Sequence, residues 1–432
     1  MARAFIAVLL FTAGLLLGIA WRVPAKLGSG NSTQQRRLAL LESENARLHT
    51  LVAESERQKR LAASTTQRKA VEEAVTAIRG LPFKTPVDYQ LLDRKQLKET
   101  IAGKISEVFT DEEFQNMSAA LARLGLIEAG YPLRQKYVDL LGEQVAAFYD
   151  QHQHKLVMFE DASLDNAQNR IVLAHELTHA LQDQHFGLKR LPLEIKTNDD
   201  RAAAAAALVE GEATLVMSEY MLKNLSLSTL KDNLTATFAQ NMEELAKAPR
   251  FLRETLVFPY LRGQEFCGAL FARGQYGAVS AAYTRLPSST AQILHPEKYL
   301  ADPPEEPIEI TWADTTANGE KPIADNVLGE LGIRLLLSEW VDDIMGQSAS
   351  TGWRGDRYLC FAGGEALVWK TMWGNAQEAE QFASAATQAL AKRYGADTAR
   401  VIRWSSPQPE ARVLIDAHSA AWADALEAFA KP

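Results

Sequence analysis

Five residues constrain this chain more than any other stretch: His175-Glu176-Leu177-Thr178-His179. They sit between Asp165 and His185, where Ile171, Ala174, Leu177 and Leu181 recur at helical spacing. That periodicity predicts a helix with one face on a core. Residues four apart on a helix share a face, so both imidazoles can meet one cation from the same side. Glu176 projects beside them, where a carboxylate can take a proton from metal-polarised water and later deliver it to a leaving amine. The structural alternative is a histidine pair satisfied by its neighbours. Zinc, one ion per chain, is the expected metal.

A catalytic zinc needs a third protein ligand and an open position. Asp199 and Asp200 come first along the chain, but they fall at an expected helix N-terminus, where capping and the helix dipole account for them. Glu210 and Glu212 follow on a helix predicted from Asp199 to Asn224, through an alanine run. Glu212 is two residues on and points about 200° away around the helix. Gly211 between them permits close helix approach. Glu210 is the preferred third ligand and Glu212 the alternative.

The stretch from His175 to Phe186, followed by Ala207-Leu208-Val209-Glu210-Gly211-Glu212-Ala213, resembles a group of uncharacterised bacterial and archaeal gluzincin-like metallopeptidases. Val145 to Asp150, Ser288 to Tyr299 and Gly352 to Tyr358 are similar to it as well, so the resemblance covers about Arg79 to Phe382. It implies a zincin-like fold, peptide-bond hydrolysis and a Glu-Gly third ligand that maps onto Glu210. The gap from His179 to Glu210 is longer than in thermolysin-like enzymes. Gluzincins also carry a strand along the cleft rim that binds extended peptide by backbone hydrogen bonds. A hairpin predicted from Gln144 to Asp150 and Lys155 to Phe159 is the candidate, with an ordinary sheet edge as the alternative.

Hydrolysis also needs a donor for the developing oxyanion. His295 and Tyr299 are catalytic candidates, as polar handles in a loop after the third ligand; Tyr149 is another. Asp183, one turn beyond His179, can orient a ligand imidazole or cap the helix end. Thr214, one turn beyond Glu210, is a further supporting candidate. His185 suits the helix C-terminus, and His152 and His154 read as solvated turn residues. Trp353, Trp369 and Trp373 offer either a stacking face or core.

The 432 residues allow two globular units and an appendage, at roughly 100–200 residues per unit. A formal net charge of −8 without a dense Lys/Arg face argues against nucleic acid. Cys267 and Cys360 form no CxxC pattern, which leaves one disulfide outside the cytoplasm as their open pairing. Phe5 to Trp21 is an uncharged apolar run after Arg3 and reads as a signal anchor. A signal peptide cleaved near Val23-Pro24-Ala25 competes with it. Both readings put the remaining chain across a membrane, periplasmic or extracellular. Leu38, Leu41, Leu48 and Val52 hold a and d spacing with Asn45 at an a position, which admits a homodimer through a stalk or a solvated helix.

The expected fold class is α+β. Residues 1–26 form the anchor and 27–79 the linker and stalk. A mainly helical domain with a small sheet spans 80–305, and a smaller α+β unit spans 306–432. Within them, Thr110 to Glu113 forms a capping box, Pro287 to Pro307 is loop-rich and Asp325 to Ile344 is helical. Arg357 to Trp373 reads as a hairpin, Glu378 to Arg393 as a helix, and Val401 to Trp404 and Ala411 to Ile415 as strands. The leading functional expectation is a membrane-anchored zinc peptidase acting on a protein or peptide. Its rivals are an anchored binding protein with a structural zinc and a hydrolase of non-peptide amides.

Overall fold

The computed structural model describes residues 64–144, 147–159, 162–226, 245–395 and 400–431. In chain order the first elements are α1 (64–79), β1 (Asp88–Leu92), α2 (Arg94–Val108), α3 (Asp111–Leu124), α4 (Leu133–Gln144), β2 (Ala147–Asp150) and β3 (Lys155–Phe159). The helical middle follows: α5 (Ala167–Phe186), α6 (Asp199–Asn224), α7 (Arg250–Ala282), α8 (Thr290–Leu294) and α9 (Pro296–Leu300). The last part holds β4 (Ala324–Asn326), α10 (Gly329–Trp340), α11 (Asp343–Ser348), β5 (Trp353–Phe361), β6 (Ala366–Trp373), α12 (Ala376–Tyr394), β7 (Val401–Ser405), β8 (Ala411–Ala417) and α13 (Ala420–Leu426). The chain is thus α+β with two small sheets. The capping box at Thr110 is present, with both reciprocal hydrogen bonds to Glu113.

The alanine run makes α6 the central helix. Alanine has the highest helix propensity and a small profile, so neighbours can surround it closely. Asn198 caps it by accepting from Arg201 N–H, Asp199 and Asp200 fill the first turn, and Lys223 sits in the last. Every residue from Ala202 to Thr214 is buried. Helix α5 packs on one side and α7 on another. At the α6–α7 crossing Gly211 faces Gly263: a Cβ on Gly211 would lie 2.1 Å from the Gly263 carbonyl group. Only hydrogen on both sides permits this contact.

Sheet one has order β1-β3-β2. The predicted hairpin is β2 and β3, paired antiparallel with Tyr149 opposite Leu156. Strand β1 adds in parallel, with Tyr89 opposite Leu156. One core cluster joins this sheet to α5 through Tyr149, Leu156, Leu173, Leu177 and Leu181. The same cluster contains Val71, Val75 and Ile78 of α1. The boundary expected at residue 79 therefore falls inside the fold: residues assigned to a solvated stalk pack as core, because their apolar positions recur at helical spacing against α5.

Sheet two is antiparallel, order β4-β5-β6-β8-β7. The main core runs without interruption from Leu92 to Leu414, through Leu208, Phe266, Leu336 and Trp369. The C-terminal unit expected from 306 onward shares its core with the helical part. Its tryptophans are structural: Trp353 and Trp369 are buried and donate to Asp356 at 3.0 and 2.9 Å. Asp356 also accepts Leu328 and Gly329 N–H, so it neutralises the start of α10. Pro287 to Pro307 contains two one-turn helices, α8 and α9, and the helix expected from Asp325 begins only after β4. Cys267 and Cys360 are each free and buried.

No helix among the described residues is long and apolar enough to cross a membrane. The apolar run from Phe5 to Trp21 and the heptads at Leu38 to Val52 lie outside the described residues.

Two measurements check this packing. Gly211→Ala forces a methyl into the α7 backbone, and a loss of roughly 2–3 kcal/mol is expected in urea unfolding. Asp200 is buried against Thr290, and burial pushes its carboxyl up to about 7. A folded pKa above the unfolded value of about 4 favours the protonated form in the fold. The resulting stability is complete below about pH 4 and lost as pH rises through about 7. Asp200→Asn should flatten that limb of the stability–pH curve.

Candidate metal centre

Helix α5 begins at the Asn166 cap and ends at Gly187, whose φ of 69° closes the last turn. It carries His175, Glu176 and His179; α6 brings Glu210. Residues 187–198 bridge the two helices through two 3-10 turns, Leu188–Arg190 and Pro192–Glu194, so the long gap from His179 to Glu210 is connection rather than extra domain.

His175 Nε2 lies 3.0 Å from His179 Nε2 and 3.1 Å from Glu210 Oε2. His179 Nε2 stands 3.6 Å from the same oxygen. A tetrahedral ion bonded at about 2.0–2.1 Å separates its ligands by about 3.3 Å. The three donor atoms stand at that spacing. They form the one such cluster among the described residues. Glu210 Oε1 and His175 Nδ1 are buried without a hydrogen-bond partner. Two imidazole lone pairs and a carboxylate converging on one point repel each other unless a cation or proton lies between them. The residues fit a zinc ion by number, type and spacing.

All four motif residues are at most 5% exposed. Burial penalises charge on His179, yet the Glu210 carboxylate beside it outweighs this and lifts it to about 9. Burial likewise lowers His175, which stays neutral. Burial would raise Glu210, but the two imidazoles hold it below the usual carboxylate range. Burial raises Glu176 to about 8, against the opposing pull of His179. A carboxyl tuned towards neutrality can both accept and return a proton.

Neighbouring groups fix these orientations. Gln182 Oε1 meets His179 Nδ1 at 2.8 Å, which turns the Nε2 lone pair to the cluster. Gln182 Nε2 donates to Val209 O and Glu212 Oε2, tying α5 to α6. Glu212 turns away from the histidines to a buried ion pair with Arg79 and accepts the Tyr283 hydroxyl. Glu176 Oε2 accepts the backbone N–H of Tyr149 on β2 at 2.8 Å. The Tyr260 ring of α7 stacks on His175 at 6.0 Å.

The other sequence candidates fall elsewhere. His295 Nε2 is 2.7 Å from Glu330 Oε1, and Tyr299 donates to Arg285 O while packing on Phe266. Neither contacts a member of the histidine cluster; both pin α8 and α9 to their surroundings. Asp183 accepts Leu188 N–H and the Tyr149 hydroxyl, so it closes the end of α5 rather than orienting a ligand. Thr214 Oγ1 is buried with no partner among the described residues. His185 bonds Pro82 O and His152 bonds Glu194. His154 is not a free turn residue, since it bonds Asp183 at 2.7 Å. Sequence reading passed over Arg79, Gln182, Tyr260 and Tyr283. Only Gln182 left a local signal, at three residues beyond His179 on one helix.

Residues 318–425 match a family described as a domain of unknown function, DUF8575. That span covers sheet two and its helices and leaves the histidine cluster outside it. No curated protein and no solved structure matches the chain. Fold and site together define a mixed α+β protein with a buried His/His/Glu centre.

Removing Arg79 leaves Glu212 charged and unpaired in the core. Arg79→Met should cost about 3–5 kcal/mol in urea unfolding, and adding Glu212→Gln should recover much of it.

Proposed function

We propose that this chain is a zinc-dependent peptidase of gluzincin type, held at a membrane by its N-terminal apolar segment and working outside the cytoplasm. One observation carries the reading. Three donor atoms stand 3.0–3.6 Å apart on two helices, and a carboxylate beside them is pinned by a backbone N–H. His175, His179 and Glu210 would hold zinc, and no fourth protein ligand joins them among the described residues. An open position distinguishes a catalytic site from a structural one.

Bound zinc would supply Lewis acidity, polarising a carbonyl and bringing water into its ionising range near neutral pH. The chain's own residues do the rest. Glu176 accepts the proton at Oε1 or Oε2 and returns it to the leaving amine. Tyr149 N–H aims its carboxylate. Gln182 fixes the His179 tautomer, and the Arg79–Glu212 pair holds Gln182. Strand β2 is an edge of sheet one in pairing order, but its four residues are buried and its Tyr149 N–H is spent on Glu176.

Burial of all four motif residues favours a second reading, a structural zinc in an anchored binding protein. Elemental analysis and turnover separate the two. The parent protein should carry close to one zinc per chain and cleave casein, short peptides or muropeptides; the substrate that turns over also tells peptide from other amides. Glu210→Ala should lose the metal. Glu176→Gln should keep it and lose about 10²–10⁴-fold in rate. Zinc without any cleavage establishes the structural reading, and a parent protein that binds no zinc ends both.

A further inference from the structure

Beyond the metal centre, Tyr149 has a second face. Its backbone N–H holds Glu176, while its ring lines a cavity of about 280 Å³ with Lys84, Thr85, His154, Asp183 and Gln184. That volume is near the lower end for ligand pockets, which start at roughly 300 Å³. Asp183 lies four residues past His179, about 6 Å along α5. That is about two residues of extended chain from the metal centre.

The cavity is built rather than incidental. His154 ends the β2–β3 turn with φ of 55°, a position where glycine or asparagine is the default. Asp150 fixes that turn by accepting from His152 and Gln153 N–H. The His154 ring is anchored at Nδ1 by Asp183, and the residue lines the cavity with Nε2 uncommitted to that bond. On the far side Lys84 and Thr85 N–H both donate to Gln184 Oε1. Lys84 Nζ spends one donor on Gln184 O, and an ammonium has three.

The one acid here offers little to a ligand. Asp183 is 8% exposed and already accepts Leu188 N–H, the Tyr149 hydroxyl and His154. The cavity therefore presents the Lys84 ammonium, with donors to spare, beside the His154 imidazole, and its complement is an anionic acceptor.

We propose that this cavity is a substrate subsite for a carboxylate, with Lys84 and His154 as its specificity-determining contacts. It rests on the peptidase reading above and names the substrate feature: an acidic group about two residues from the bond that is cut. An acidic side chain and a free C-terminus share that chemistry.

Binding tests this independently of turnover. The full-length protein with Glu176→Gln is titrated, by fluorescence anisotropy, into three labelled decapeptides. One is neutral and blocked, one has a single internal glutamate, and one has a free C-terminal carboxylate. A carboxylate peptide should bind about tenfold tighter than the neutral one, as charge-assisted hydrogen bonds provide. Lys84→Met and His154→Asn should each erase most of that difference with zinc content unchanged; asparagine tolerates the backbone of residue 154. Lys84→Arg should retain the preference. The peptide that gains affinity identifies the source of the carboxylate. Equal binding of all three peptides, no binding of any, or a preference that survives both substitutions overturns the subsite. Cleavage by the parent protein of neutral and acidic peptides alike would leave the peptidase reading standing without it.

Discussion

The arrangement of the His/His/Glu cluster depends on a buried ion pair at Glu212, two residues beyond Glu210. Glu212 is enclosed, and one cation, Arg79 from the end of α1, balances it. Gln182 from α5 and Tyr283 beyond α7 complete its hydrogen bonds. Three separate segments thus converge on a single carboxylate carried by a fourth. An isolated ion pair in a core adds little stability, but its geometry is strict, since misplacing either partner strands a charge. That strictness fixes the rotation of α6, and with it the direction of Glu210. The other face of Gln182 then fixes the His179 ring. A structural carboxylate and a metal-facing one alternate on the same helix, separated by a glycine that lets α7 press against them.

Burial disfavours charge throughout the centre, and its groups offset that for one another. The two imidazoles hold Glu210 below the usual carboxylate range, and the Glu210 carboxylate in turn raises His179. A divalent ion entering this site would compete with protons for the same imidazoles, as metals do when they bind histidine. Glu176 lies one step outside, tuned by burial and held by a strand rather than by another side chain. Sheet one and α5 are therefore coupled at the residue that would handle protons.

Much of this was legible before any coordinates. Asp199 to Asn224 emerges with the limits expected, because alanine propensity, an Asn cap and acidic first-turn residues all agree. The hairpin at Tyr149 follows from two short apolar runs separated by polar turn residues, and the strands after Val401 from strand-forming residues. That Glu210 and Glu212 point to different sides follows from helix geometry; the preference for Glu210 rests on Gly211 and on the resemblance as well. What sequence could not carry was tertiary. Arg79 looked like the end of a stalk because its partner is 133 residues away. Tyr260 follows a proline within a long helix, with no periodic mark of its stacking on His175. His295 and Tyr299 drew attention as polar residues in a loop, yet that loop contains two short helices whose caps and contacts use both. A polar residue without a periodic pattern is as easily a strut as a catalyst.

The uninterrupted core from Leu92 to Leu414 has a consequence for how the molecule is made. Domains generally fold as units while the chain emerges from the ribosome. Here the alanine-rich helix bearing Glu210 shares its core with residues as late as Leu414, whereas the helix bearing the histidines packs in a second cluster whose buried residues run from Val71 to Tyr220. Until the last strands are made, the core around α6 is unfinished. Glu210 and the histidines are thus held by cores that close at different points along the chain.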